Sequence, residues 1–506
     1  MRKLSLILPL FLLLACVDEE IFDPGKNLSV KEEDLLFRPG QMVVKVTPTL
    51  SSSLERHTGG NGKINPVEIS EFQEVAGIIG MESLKRLFAP AGVFEARSRA
   101  EGMHLWYQVS FDPSFSVSRA RDLMASHPGI SAVECDPMKR LYADTVVEYA
   151  APSGVILSGA PFDDPLLYRQ WHYCNDGSRE GTAPGCDINV FPLWKEGVTG
   201  RDDVIVCVVD GGVDDTHEDL AGNIWFNPEI PGSCGYNFCD DSPDVTPDDH
   251  ATHVAGTIAA VNNNGLGGCG IAGGDHAKGI PGVKIMSCQI FTGNESVCSP
   301  AAAIKWGADH GAVICQNSWG YPELDETPES IKAAVDYFVK YAGLDAEGVQ
   351  TGPMAGGLVV FAAGNERRMA SSSTYESILN VTSLGAGFVK APYSNWGAFA
   401  DLAAPGGYKP NRVLSTLPGN RYGWMSGTSM ACPHVSGAAA LVVSACGGPG
   451  FTPAELRQRL EESARDISAY NPDYYLGHGL VDVYAAVNAL PNTFPEYFEE
   501  TPADFM

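Results

Sequence analysis

Between residues 161 and 490 the chain alternates short, continuous apolar runs with helical stretches. The runs are Val204 to Val209, Val283 to Ile290, Ala312 to Cys315 and Leu358 to Ala362. Runs of this length, apolar on both faces and separated by helices, predict a parallel sheet covered on each side. Residues 37–142 are patterned differently. Gln41 to Val46 reads as a strand, and Leu105, Tyr107, Val109 and Phe111 alternate with outward positions as a half-buried strand does. Ser70-Glu71-Phe72-Gln73 offers a capping box ahead of Val75, Ala76, Ile78 and Ile79 at helical spacing. A second helix fits Ser116 to Ser126, stopped by His127-Pro128-Gly129, before a strand over Ile130 to Cys135. These elements predict a small α+β domain over 37–142. Residues 143–160 lose periodicity and read as a linker, and 491–506 form an acidic tail.

The first 36 residues have a third character. Met1-Arg2-Lys3 is followed by an apolar run of twelve residues, Leu4 to Ala15, too short to span a bilayer, so 1–15 reads as an export signal. Leu13-Leu14-Ala15-Cys16 resembles the bacterial lipoprotein box, which implies a membrane anchor through lipidated Cys16. Residues 16–36 are polar and acidic, as a tether is, and Asp18, Glu19 and Glu20 resemble signals that direct lipoproteins to the outer membrane or cell surface. The net charge of −28 repels polyanions, which argues against nucleic acid as a partner. Of thirteen cysteines, setting aside Cys16 and Cys135 leaves an odd number, so at least one thiol in the α/β region lacks a partner there. Cys207 and Cys315 sit in apolar runs as core residues. Cys174 with Cys186, and Cys234 with Cys239, are candidate loop disulfides in an exported protein.

In parallel sheets, sites form beyond the carboxyl ends of the strands. Val204 to Val209 runs into Asp210-Gly211-Gly212, Ala312 to Cys315 into Gln316-Asn317-Ser318-Trp319-Gly320, and Leu358 to Ala362 into Ala363-Gly364-Asn365. Farther on, Ser429 in Gly427-Thr428-Ser429-Met430-Ala431 lies where a turn enters an Ala-rich helix, and His250 lies in His250-Ala251-Thr252-His253. A serine hydroxyl becomes a nucleophile when a neutral imidazole takes its proton and a carboxylate orients that imidazole. Asp210, His250 and Ser429 supply the three groups. Asn365 and the Ser429 N–H can stabilise an oxyanion. Pro433 suits a helix that has scarcely begun, because it has no N–H to lose. The histidine pair lacks the Glu of His-Glu-x-x-His, so zinc is disfavoured, and no Gly-Lys-Ser/Thr follows the Gly-rich stretch 265–274 to cradle phosphate.

The motif order Asp, His, Asn, Ser over Asp163 to Leu490 resembles the subtilisin-like serine proteases. The resemblance implies an α/β fold, a subtilisin-like parallel sheet flanked by helices on both faces over 161–490, preceded by a propeptide-like α+β domain at 37–142. It implies Asp210 as orienting acid, His250 as general base and acid, Ser429 as nucleophile, Asn365 as oxyanion donor and His253 as structural. Ser318, Trp319 and Gly320 resemble the edge strand against which polypeptide substrate pairs. Ala251 and Gly211 depart from the family, which more often has glycine and serine or threonine there. No cofactor is implied for catalysis, but Asp164, Asp219, Asn262 and Asn263 resemble segments that build a structural calcium site in relatives. The expected protein is an exported, lipid-anchored serine endopeptidase made as a zymogen and cut between Leu141 and Pro161, with polypeptides and its own propeptide as partners. The rival expectation is an inactive surface scaffold or adhesin on the same fold.

Overall fold

The computed structural model describes residues 32–58, 62–66, 69–70, 72–149, 159–293, 298–324, 326–370 and 375–490. The signal segment, Cys16 and the acidic tail lie outside the described residues.

Seven parallel strands form the main sheet, in the spatial order Leu402–Pro405, Ile378–Leu384, Leu358–Ala362, Ile314–Asn317, Ile205–Asp210, Lys284–Gln289 and Gly235–Asn237. Successive side chains of the central strand serve opposite faces. Val206 and Val208 join the core under the helices Asp249–Ala259 and Thr428–Cys446. Cys207 and Val209 join the core under Pro300–Asp309 and Glu329–Tyr341. Both faces are thus covered, as the apolar runs require. The Thr428–Cys446 helix is long and apolar enough to cross a membrane, yet 83% of its apolar window is buried inside the protein, which makes it a core helix.

The N-terminal unit is a five-stranded antiparallel sheet ordered Lys63–Ile64, Met81–Arg86, Trp106–Phe111, Phe37–Val46 and Ile130–Pro137. Met42, Val44, Tyr107 and Val109 face its own helices, Gln73–Ile79 and Val117–Ala125. Val43 and Trp106, on the opposite face, share an apolar cluster with Ala303, Ile304 and Val335 of the main unit. The sheet therefore docks on the two helices that cover the back of the parallel sheet. Arg97 anchors this contact: its guanidinium meets Asp309 Oδ1 at 3.0 Å, and its Nε donates to the Tyr337 hydroxyl at 2.8 Å.

Three expectations change. The helix after Ser70 begins at Gln73 with Phe72 at its N-cap, because the fully buried Phe72 ring, stacked on His127, fixes the chain there. No disulfide joins Cys174 to Cys186 or Cys234 to Cys239. Cys186 Sγ instead accepts the Phe388 N–H at 2.9 Å, and Cys239 Sγ lies 3.6 Å from Cys298 Sγ. The stretch read as an irregular linker contains a strand, Val147–Glu148, antiparallel to Arg421–Met425, itself paired with Val413–Leu417.

Candidate active site

Asp210 ends its strand, and His250 lies in the first turn of the Asp249–Ala259 helix. Asp248 caps that helix, its Oδ1 accepting the His250 N–H at 2.8 Å and the Ala251 N–H at 3.3 Å. His250 Nδ1 meets Asp210 Oδ1 at 2.8 Å, and Gly211 N–H donates to the same oxygen at 2.7 Å. A side chain at Gly211 would collide with Asp248, its Cβ falling 2.8 Å from Asp248 Cβ, so the helix cap explains the glycine. His250 is 4% exposed, and its Nε2 has no hydrogen-bond partner. Burial opposes its protonation, but the Asp210 charge and hydrogen bond, with Asp248, outweigh burial and leave the imidazole pKa raised.

Ser429 is fully buried at the start of the 19-residue helix. Its Oγ donates to the Ser318 carbonyl at 2.7 Å. Pro433 lies a full turn inside this helix, deeper than its missing N–H suggests. The Ser429 carbonyl that a residue at 433 would normally engage accepts the Ser318 hydroxyl instead, at 2.8 Å. Asn365 Oδ1 accepts from the Thr428 N–H at 3.0 Å and the Thr428 hydroxyl at 2.9 Å, which holds its amide beside Ser429. Trp319 Nε1 donates to the Val209 carbonyl at 2.9 Å and ties the 318–320 segment to the strand carrying Asp210.

The cleft is filled by the chain itself. Trp319 and Gly320 pair antiparallel with Leu141 and Arg140. Tyr142 N–H donates to the Ser318 carbonyl at 3.3 Å, and the Tyr142 carbonyl accepts the Ser429 N–H at 3.1 Å. Gly427 is required here, since a Cβ on it would strike the Tyr142 carbonyl oxygen. The Tyr142 side chain is buried in a pocket shared with Trp319, Gly320, Phe361, Ala362 and Ala363. Beyond it Asp144 N–H donates to the Ser426 carbonyl at 2.8 Å, and Ser426 N–H donates to Asp144 Oδ1 at 2.7 Å. Burial lifts the Asp144 carboxyl above its usual range, against the Ser426 N–H, Arg412 and Lys409, which lower it. Tyr142, Ser426 and Arg412 were invisible to motif reading. The only signal was that Leu141 to Pro161 follows the N-terminal unit directly.

His253 Nε2 sits 3.2 Å from both the Val413 and Gly423 carbonyls, and burial lowers its pKa to about 3, so it joins the core and not the Asp210 pair. Cys432 is buried, its Sγ donating to Gln316 Oε1 at 3.2 Å, and burial raises its thiol to about 12. The calcium candidates fall around the 262–270 loop. Asp164 Oδ2 accepts the Asn263 N–H at 2.8 Å, while its Oδ1 is buried without a hydrogen-bond partner. Asp219 is fully buried, with Asn264 Nδ2 on Oδ1 at 2.8 Å and Gly268 N–H on Oδ2 at 3.2 Å. Burial raises Asp164 to about 7; it raises Asp219 far above its usual range, and the Asp164 charge adds to that. Asn262 Oδ1 accepts the Gly270 N–H and Asn263 Nδ2 donates to Asp275, so these two side chains brace the loop.

A buried carboxylate–imidazole pair, a serine at a helix start and an edge segment already paired with extended chain are the groups that hydrolysis of polypeptide by a serine nucleophile calls for. Comparison with known proteins agrees. Residues 201–479 match the Subtilase family, and residues 43–177 match the N-terminal of Subtilase family. The chain is 33% identical over 416 residues to the extracellular basic protease of Dichelobacter nodosus, covering 73% of this chain and 60% of that protein. It is also 33% identical over 305 residues to the subtilisin of Bacillus pumilus, covering 59% of this chain and 96% of that one. The crystal structure of fervidolysin from Fervidobacterium pennivorans, described as a keratinolytic enzyme related to subtilisin, superposes with a TM-score of 0.58 at 25% identity, covering 89% of this chain and 61% of that one. The chain belongs to the subtilase family of serine proteases, with a subtilisin-like fold behind an N-terminal propeptide domain.

Proposed function

We propose that this protein is an exported serine endopeptidase that first cuts its own chain between Tyr142 and Ala143. The observation that carries the reading is the Tyr142 carbonyl, which accepts the Ser429 N–H while its own N–H is held by Ser318. That carbonyl oxygen already sits where an oxyanion would be stabilised. Rotation of the Ser429 hydroxyl from the Ser318 carbonyl toward His250 Nε2 starts the reaction. His250 takes the proton as Oγ attacks the Tyr142 carbonyl carbon, and Asp210 steadies the imidazolium. The Ser429 N–H and the Asn365 amide hold the oxyanion. As the Tyr142–Ala143 bond breaks, His250 returns the proton to the Ala143 nitrogen. Water activated by the same imidazole then releases Tyr142 from Ser429. Foreign polypeptides follow the same course, laid along Ser318, Trp319 and Gly320 by strand addition, with a bulky aromatic residue in the Tyr142 pocket.

The N-terminal unit acts as a propeptide that blocks the cleft until it is cut and displaced. Export is supported by the signal-like start and by a relative named as extracellular. Anchoring through Cys16 rests on the Leu13-Leu14-Ala15-Cys16 sequence. After the cut, the anchor stays with the propeptide, and the catalytic unit is released once their interface parts. A structural calcium fits Asp164 and Asp219, buried carboxylates of which one oxygen has no other partner; Asn262 and Asn263 would serve it only through their loop. If calcium binds there, a chelator lowers the melting temperature of the wild-type protein, while Asp219→Asn melts alike with and without chelator.

The function is tested with a fluorophosphonate probe and N-terminal sequencing of the matured protein. The expected outcome is label on Ser429 and a new N-terminus at Ala143. Absence of label from a folded, processed chain would favour the inactive scaffold. A different N-terminus would overturn the assigned bond.

A further inference from the structure

The cleft does more than hold the bond to be cut. Two residues beyond Tyr142, the Asp144 carboxylate is gripped on both oxygens. Oδ1 accepts the Ser426 N–H at 2.7 Å, and Oδ2 forms an ion pair with Arg412 Nη2 at 2.9 Å. The other arm of the same guanidinium, Nη1, donates to the Thr145 carbonyl at 3.0 Å, so Arg412 reads a side chain and the following backbone together. Its position is fixed by the fold: Trp171 Nε1 donates to the Arg412 carbonyl at 2.8 Å, and the next residue, Val413, begins a strand. Arg412 itself is only 9% exposed. Among the described residues, Asp144 is the one carboxylate in ion-pair contact with it, and Lys409 adds further positive potential at the same carboxyl.

Asp144 lies on the leaving-group side of the bond to be cut, so once the new N-terminal strand swings out of the cleft the half-sequestered guanidinium is poorly satisfied until another acid replaces it. Resting on the assignment of Tyr142–Ala143 as the cleaved bond, we propose that Arg412 is a specificity-determining residue, forming with the Ser426 backbone a subsite that selects an acidic side chain two positions after the bond cut. The substrate class is then a polypeptide with an aromatic residue before the bond and aspartate two residues beyond it. The propeptide junction, Tyr142-Ala143-Asp144, carries this pattern itself.

The experiment uses the self-processed protein and quenched peptides built as Tyr-Ala-Xaa around the cut, with Xaa as Asp, Asn, Ala or Lys. A charge-assisted contact of this kind predicts kcat/KM about 10- to 100-fold higher for Asp than for Ala, with Lys slowest and the preference weakening as salt rises. Arg412→Gln should bring the Asp-to-Ala ratio close to one, Arg412→Lys should retain part of it, and Arg412→Glu should reverse the order of Asp and Lys. Equal rates for Asp and Ala peptides with the unmodified enzyme at low salt would overturn the proposal, whatever the variants do. Failure to hydrolyse any of the peptides, or an N-terminus away from Ala143, would strike the underlying cleavage assignment instead. A full-length Asp144→Lys chain, folded and cutting itself as fast as wild type, would also count against the subsite.

Discussion

In the parallel sheet, Leu358–Ala362 and Ile378–Leu384 are buried at every position, whereas in the antiparallel sheet Met81–Arg86 buries only Met81 and Leu84. The first sheet is covered on both faces by helices of its own unit. The second has one face on its own helices and leans the other, through Val43 and Trp106, on helices of its neighbour. A core sealed within one unit persists after the chain is cut, but a core completed by a neighbour ends when the two part. The Arg97 contact has the same asymmetry. If the N-terminal unit departs as proposed, Asp309 keeps Lys305 Nζ at 2.5 Å and the Tyr337 hydroxyl at 2.7 Å, so the main unit is left without an unpaired acid.

The sharpest test of this contrast is Ser429→Ala. Hydrolysis and self-cutting should fall about 10⁶-fold, leaving both sheets in one uncut chain by intact-mass measurement. Self-cleavage of that folded variant at the wild-type rate would remove the reason for treating the N-terminal unit as a disposable partner. Asn365→Ala comes next. It should lower kcat on the order of 10²- to 10³-fold with KM little changed, because the amide is needed only when charge develops on the carbonyl oxygen. Steady-state kinetics with a single peptide decide it.

Core truncations then divide the two units. Leu84→Ala and Leu379→Ala each remove a fully buried side chain and should cost about 2–5 kcal/mol. Leu84→Ala should lower the melting temperature and processing yield of the uncut chain while leaving the matured enzyme's melting point unchanged. Leu379→Ala should lower both, and calorimetry before and after processing separates them. The smallest effect is in the pH profile. With the His250 pKa raised, the imidazole stays protonated at pH values where an ordinary histidine is neutral, and in that form it cannot take the serine proton. The acid limb of kcat/KM should therefore bend above 6.5, the ordinary histidine value, and Asp210→Asn should shift the bend downward while reducing the rate. A wild-type bend at or below 6.5 would contradict the electrostatics of the pair.

Much of this protein is written in local patterns. The four apolar runs sit within two residues of their strands, since a strand sealed on both faces must be apolar throughout. Ser116 was expected to open a helix and does, accepting the Arg119 N–H. Asp210, His250, Asn365 and Ser429 stand out as candidates because each lies where a strand ends or a helix begins. Less was visible where a residue's role depends on a distant partner. Phe72 stands at the N-cap and moves the helix start to Gln73 because its ring had a core to enter. Gly211 looked like a departure until Asp248 was seen beside it. Cys186 preferred a backbone N–H to a second sulfur.

The sequence by itself determined most of the elements, the order of the two units and the candidates for the reactive groups, because periodicity and motif chemistry act within a few residues. The tertiary structure alone decided that Tyr142 and Ala143 lie over Ser429, and that Asp144 meets Arg412 more than 260 positions away. The reason is physical. Hydrogen bonds and ion pairs form through space once burial has brought strands together, and residues 143–149 have no apolar rhythm of their own to show which edge they will join.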